Sequence, residues 1–265
     1  MRLLYYIALY NIIMITSLYA STAIAANKNK STIQQFISSY KITILKDRKA
    51  IWLSGQSKRT LTLHDNLWQF EFNASLLTAD INETALFTIN QGMVQPHKYT
   101  HQSKGSIAGT HWIRFYYGSK PYFTHSDNTQ KPIEFKPGML DSASWITQLR
   151  LDLMHKKEHL RYSIINTSQQ PIPIDFKISN YRDFVSTPIG TFNTIKVEKS
   201  IKNADDYIIV WLAPKWDYLV IRMVTSQYML ELTSAMITDK HKGKIIVKDN
   251  AQTTEKSLHN IKKND

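Results

Sequence analysis

The segment Trp68-Gln-Phe-Glu-Phe-Asn-Ala74 decides the fold class. Trp68, Phe70, Phe72 and Ala74 share one parity, and Gln69, Glu71 and Asn73 share the other. Strict alternation of this kind gives an extended chain one apolar and one polar face, the pattern of a half-buried β-strand. The same period recurs outward from it. Tyr40, Ile42 and Ile44 alternate with Lys41 and Thr43, and Leu61 and Leu63 with Thr60 and Thr62. Ile113, Phe115 and Tyr117 form a third set, and Ile172, Ile174, Phe176 and Ile178 a fourth. Tyr207–Leu212 is apolar on both faces, as a strand covered on both sides would be. Tyr218–Val224 and Tyr228–Met236 read as a closing hairpin around Thr225-Ser-Gln227.

Turn chemistry separates these runs. Gly55, Asn90-Gln-Gly92, Lys104-Gly105, Gly118-Ser-Lys-Pro121 and Ser126-Asp-Asn128 read as loops. In Thr187-Pro-Ile-Gly-Thr191 the proline presets the first turn angle and the glycine takes a positive φ. About a dozen strands are expected, forming a large curved antiparallel sheet or half-barrel. One segment departs from period two. Leu140, Ala143, Ile146, Leu149 and Leu153 recur at spacings of three and four. That spacing predicts one amphipathic helix over about 138–155, with Asp141 or Ser142 as its cap and its apolar stripe on the concave face of the sheet.

The N-terminus reads as an export signal. A positive start at Met1-Arg2 is followed by an uncharged, mostly apolar run from Leu3 to Ala20 and the small-residue site Ala23-Ile-Ala25. This is the layout of a signal peptide over residues 1–25; a retained membrane anchor is the alternative. Residues 26–34 then form a short linker, 35–238 one β-rich domain, and 239–265 a basic, mostly disordered tail. The alternative for the tail is an extra edge strand at Lys244–Lys248. The chain has no cysteine, which excludes disulfides, thiolate chemistry and a lipid anchor on cysteine. Together these features suggest a bacterial periplasm. The formal net charge is +12, and removing the signal takes away one arginine and no acid. Such a surface suits anionic envelope components, and the lysines are spread along the whole chain rather than gathered into a nucleic-acid stripe.

Few motifs carry chemistry. His155-Lys-Lys-Glu158-His159 matches the H-x-x-E-H arrangement, in which two histidines one helical turn apart hold zinc and the glutamate acts as base. Its position at the end of the predicted helix, before the alternating Leu160–Ile164, argues for a polar connection instead. His97 and His101 share a strand parity with Tyr99, and His111 follows; they read either as a metal cluster or as an exposed polar face. Asp205-Asp206 stand next to a strand start as solvated charges, and Asn73, Asn82 and Asn166 begin glycosylation triplets. No nucleophile elbow, phosphate loop or dinucleotide motif is present, so no catalytic residue, metal or cofactor is assigned. The tryptophans Trp52, Trp68, Trp112, Trp145, Trp211 and Trp216 could line a lipid or glycan groove, or serve as core and cross-strand pairs. Trp145, beside the helix stripe, and Leu149, on it, are the candidate ligand-facing residues.

The C-terminal half resembles a known family. Leu140-Asp-Ser-Ala-Ser144 with Leu149-Arg-Leu-Asp-Leu153, Tyr162-Ser-Ile164, Thr187-Pro-Ile-Gly-Thr-Phe192 with Lys196-Val-Glu198, and Trp211-Leu-Ala-Pro214 with Ile221-Arg222 occur in that order. They are similar to domain-of-unknown-function family 3108, exported bacterial proteins. The resemblance runs from about Ser38 to Ser234 and is strongest from Met139. It implies export and a β-rich architecture, and it brings no reaction with it. The expected fold is reminiscent of half-barrel lipoprotein carriers. The function expected on these grounds is non-enzymatic binding of a lipid-like or other envelope component in the sheet concavity, or else a structural role with envelope proteins as partners.

Overall fold

The computed structural model describes residues 33–105, 109–126, 129–165, 170–200, 206–239 and 242–250. The signal segment at 1–25 and most of the linker lie outside them. The first meander comprises β1 (Gln35–Lys46), β2 (Lys49–His64), β3 (Leu67–Leu76), β4 (Ala79–Asn90), β5 (Met93–Gly105), β6 (Gly109–Tyr116), β7 (Tyr122–His125) and β8 (Gln130–Pro132). Each pairs antiparallel with the next. After β9 (Met139–Asp141) and helix α1 (Trp145–Met154) comes the second meander: β10 (Leu160–Ile165), β11 (Pro171–Thr187), β12 (Gly190–Lys199), β13 (Ile208–Ala213), β14 (Leu219–Thr225) and β15 (Tyr228–Asp239). The two meanders join where β1 pairs with β15.

The alternation seen in the sequence is the alternation of burial. Trp68, Phe70, Phe72 and Ala74 are buried, with Gln69 and Glu71 half-exposed and Asn73 exposed. Rows of side chains cross the concave face in register. Phe36, Leu61, Phe70, Ala85, Tyr99, Phe115 and Phe123 are cross-strand partners from β1 to β7, and all are buried.

The helix lies inside this sheet for a topological reason. Strands β9 and β10 are parallel neighbours. A parallel pair needs a crossover, and α1 is that crossover. Every residue from Trp145 to Leu153 is buried, so the helix presents no face to solvent. This corrects the expected amphipathic helix over 138–155 in two respects. Gly138 has φ +88°, which no α-helix accommodates, and Met139–Asp141 is a strand. The helical spacing of Leu140 and Ala143 therefore came from a strand residue followed by a turn residue. The start is closed by a reciprocal pair: Asp141 Oδ1 accepts from the Ala143 and Ser144 amides at 3.1 and 2.7 Å, and Ser144 Oγ accepts from the Asp141 amide at 3.1 Å. This has the form of a capping box, one turn ahead of the first helical residue.

Polar side chains on α1 bind it to both meanders. Gln148 Oε1 accepts from the Val94 amide at 2.7 Å, and its Nε2 donates to Gly92 O at 3.0 Å and to Asp152 Oδ1 at 2.8 Å. The other carboxylate oxygen, Asp152 Oδ2, accepts from Tyr162 OH on β10 at 2.9 Å. Trp145 stacks parallel on Phe176 of β11 with centroids 5.4 Å apart.

Two further expectations need correction. The supposed tail is partly ordered: β16 (Gly243–Ile246) pairs with β15, Val247 is buried, and β17 (Asp249–Asn250) runs parallel to the start of β12. The alternative edge strand thus forms, and residues 251–265 lie outside the described ones. Gly55 is no turn residue. It sits within β2 opposite Leu76, where an added Cβ would come within 2.1 Å of Ser75 O. Lys104 and Gly105 likewise belong to β5. No helix among the described residues is long and apolar enough to cross a membrane.

The substitution Gly55→Ala should therefore destabilise the protein by about 1–3 kcal/mol or more, because a main-chain oxygen cannot yield as a flexible side chain can. Urea unfolding of the variant measures this; an unchanged midpoint would show that β2 and β3 separate freely at this point.

Candidate functional site

The histidine motifs come apart in three dimensions. His155 ends α1, and its Nδ1 lies 2.8 Å from Leu151 O. Lys156 follows at φ +57°, so the chain leaves the helix between His155 and Glu158. Glu158 and His159 are exposed on the wall of an open surface groove of about 980 Å³, and the one-turn spacing that zinc requires is lost. Among the described residues no three acidic or histidine side chains gather as metal ligands. The other cluster is divided by a β-bulge. Leu86 pairs with Lys98 and Phe87 with Pro96, leaving His97 as the extra residue. A bulge shifts side-chain parity by one. His97 is therefore exposed, 3.1 Å from Thr88 Oγ1, whereas Tyr99 and His101 share the inner face. His111 lies on the neighbouring strand opposite Ser103.

The remaining candidates have structural surroundings. Asp206 pairs with Lys199, and Asp205 lies outside the described residues. Asn73 and Asn82 face each other across β3–β4 on the wall of an open groove of about 930 Å³; Asn166 lies outside the described residues. Trp68 is buried, Arg114 covers the Trp112 ring at 4.4 Å, and Trp211 Nε1 donates to Asp183 Oδ2 at 2.9 Å. Trp216 packs against the core, and the Trp52 side chain lies outside the described residues. Leu149 is wholly buried. The described tryptophan side chains do not converge on a groove.

Trp145 does face a space. At the N-terminal end of α1 a small pocket of about 50 Å³ remains between the helix and the sheet, lined by Arg59, Phe70, Phe72, Glu83, Ser142, Ala143, Trp145, Ile146, Met223 and Tyr228. The strands place its charged groups in one transverse row: Ser38, Arg59, Phe72, Glu83 and His101 are successive register partners from β1 to β5. Glu83 Oε1 accepts from Tyr99 OH at 2.9 Å and lies 3.1 Å from His101 Nδ1. The Arg59 guanidinium is buried over the Tyr40 and Phe72 rings. Beneath this row Asp141 is fully buried, and its Oδ2 has no protein partner. Burial raises the Asp141 carboxyl to about 6, against the lowering effect of its bonds to Ser144 and Ala143 and with a smaller push from the Glu83 charge. Burial likewise raises the Tyr99 hydroxyl, helped by Glu83.

Arg59 and Glu83 escaped the reading of the sequence because isolated charges in alternating runs look solvated. Parity was the available signal. Arg59 has the parity of Leu61, and Glu83 that of Ala85 and Phe87, so both point to the apolar side of their strands.

A curved antiparallel sheet wrapped around a buried helix defines a β-barrel-like protein. A solved structure of this class is similar: the β-barrel-like protein of domain of unknown function DUF1849 from Brucella abortus. It has a TM-score of 0.53 at 9% identity, over 78% of this chain and 99% of that one. A DUF1329 family protein from Desulfovibrio piger aligns over 81% of this chain and 82% of its own at 10% identity, and its TM-score of 0.22 carries no argument. The model of the family described as protein of unknown function, DUF3108, matches residues 39–229, and the chain belongs to that family. No curated protein matches it.

The raised Asp141 carboxyl makes stability depend on pH. Between about 3.8 and 6 the folded protein holds a proton that the unfolded chain has lost, so this group's contribution falls as pH rises through that window. Asp141→Asn keeps the capping oxygen and removes the titration. Its stability relative to the parent should rise by roughly 2–3 kcal/mol from pH 4 to pH 7. Parallel stability curves for the two proteins across that range would contradict the assignment.

Proposed function

We propose that the chain is exported to the bacterial envelope and works there as a binding protein without a catalytic step. It seats the end group of an envelope component in the pocket above Ala143 and Trp145. The charged start, apolar run and Ala23-Ile-Ala25 site support export. The observation that carries the binding reading is the filling of the concavity by α1. The space left beside Trp145 is about 50 Å³. Small-molecule sites of the usual kind have about 300–1,000 Å³. An acyl chain does not fit inside; a terminal group does, with the rest of its molecule outside the core. The two charged residues at the pocket are suited to recognition. Glu83 accepts a hydrogen bond from Tyr99 OH, and Arg59 is a pure donor.

Native mass spectrometry of the full chain expressed with its own N-terminus and recovered from a bacterial periplasm tests both parts. The expected mass lacks residues 1–25 and carries a small-molecule adduct. Ala143→Leu, which fills the pocket, should lose the adduct while keeping the far-ultraviolet circular dichroism of a folded β-protein. An uncleaved cytoplasmic product would overturn export, and an adduct that persists on the filled variant would overturn the pocket.

A further inference from the structure

Arg59 is 7% exposed, and among the described residues its guanidinium forms no ion pair, although Glu83 lines the same pocket. The guanidinium carbon lies 5.5 Å from the Tyr40 ring centroid and 5.2 Å from that of Phe72. Nη2 reaches Met223 Sδ at 3.5 Å, while Nε and Nη1 have no hydrogen-bond acceptor from the protein. Among the described residues no carboxylate pairs with it. Ring faces and a thioether compensate a buried guanidinium weakly, and an unpaired buried charge is among the least favourable features a core can hold. Five N–H donors in a fixed plane ask for an anionic acceptor.

We infer that the pocket is a carboxylate site. A ligand's –CH2–COO⁻ end enters beside Trp145 and accepts from the Arg59 guanidinium, whose Nε and Nη1 lie on different edges and both lack a protein acceptor. The inference rests on the pocket reading above and adds the ligand's chemistry. Size favours a small anionic group: at 10–15 Å³ for each water-sized atom, about 50 Å³ holds about three to five non-hydrogen atoms, and a carboxylate with its first carbon has four. Charge decides the same way. Glu83 on the pocket wall tolerates a single negative charge opposite Arg59 better than two, because its own charge is shared with Tyr99 OH and His101. A cation is disfavoured by Arg59 itself.

Titration calorimetry on the exported protein, after exhaustive dialysis, tests this with three probes at matched ionic strength: sodium acetate, inorganic phosphate, and dodecanoate below its micellar concentration. Acetate should bind, and Arg59→Gln should weaken it at least ten-fold, with Arg59→Lys intermediate. Glu83→Gln should tighten it. This second variant keeps the test open if Arg59→Gln does not fold. Dodecanoate binding much more tightly than acetate assigns the carboxylate to a long-chain molecule; equal binding assigns it to a small free acid. Phosphate binding as well as acetate would overturn the carboxylate assignment. Acetate binding unchanged in Arg59→Gln would overturn it too, while leaving the adduct and its loss in Ala143→Leu as evidence for the pocket. Absence of any adduct on the parent protein would remove the pocket reading itself.

Discussion

The pair Gln148 and Asp152, one helical turn apart inside the sheet, holds the two halves of the molecule in register. Gln148 uses its carboxamide oxygen on β5 and its nitrogen on the β4–β5 turn and on Asp152. Asp152 carries the connection to Tyr162 on β10. Each group is buried, so any shift of the helix leaves a donor or acceptor unpaired at a cost of about 1–3 kcal/mol for each. Apolar contacts alone would let α1 slide or rotate between nearly equivalent packings. The polar relay selects one of them, and in doing so fixes Trp145 and Ala143 against Arg59 at the other end of the helix.

The parts of this fold visible in the sequence are those with local causes. Trp68–Ala74 shows its buried face through parity, and Thr187–Thr191 shows its turn through proline and glycine. The parts that were hidden depend on distant partners. Strand β9 has three residues, too few to display any period, and the helical spacing of Leu140 runs straight through it. Gly55 looks like a turn because glycine usually marks one; its role comes from the main chain of β3 close beside it. The bulge at His97 reverses parity part-way along a strand, and that reversal separates His97 from His101. The wholly buried helix follows from a crossover between strands whose pairing no local pattern announces. Trp145, which lines the small pocket, stands beside the apolar stripe in the sequence. Arg59 and Glu83 needed their strand parity weighed against the habit of treating every charge as solvated.

Membership of the DUF3108 family and the likeness to the DUF1849 structure concern architecture. The interior sets a limit on any use of that architecture. In a half-barrel with an open concavity, binding scales with the apolar area offered to a chain. Here Leu149, Leu151 and Leu153 occupy that area themselves. For a ligand seated as proposed, selectivity would rest on a few polar groups in a small space, where one unmatched donor outweighs many methylenes.

Strand β1 is hydrogen-bonded on one side to β2, its immediate successor, and on the other to β15, close to the end of the domain. Gln34 and Asp239, which bond across that second seam, are 205 positions apart. A chain emerging from its N-terminus forms the β1–β2 hairpin early and then carries an open β1 edge for nearly the whole of its synthesis. That edge bears Phe36, Tyr40 and Ile42 on one face, a ready template for another chain. Non-local closure of this kind is slow because loop entropy is lost before any contact is gained. The late strand β15 is thus the element that covers the second edge of β1.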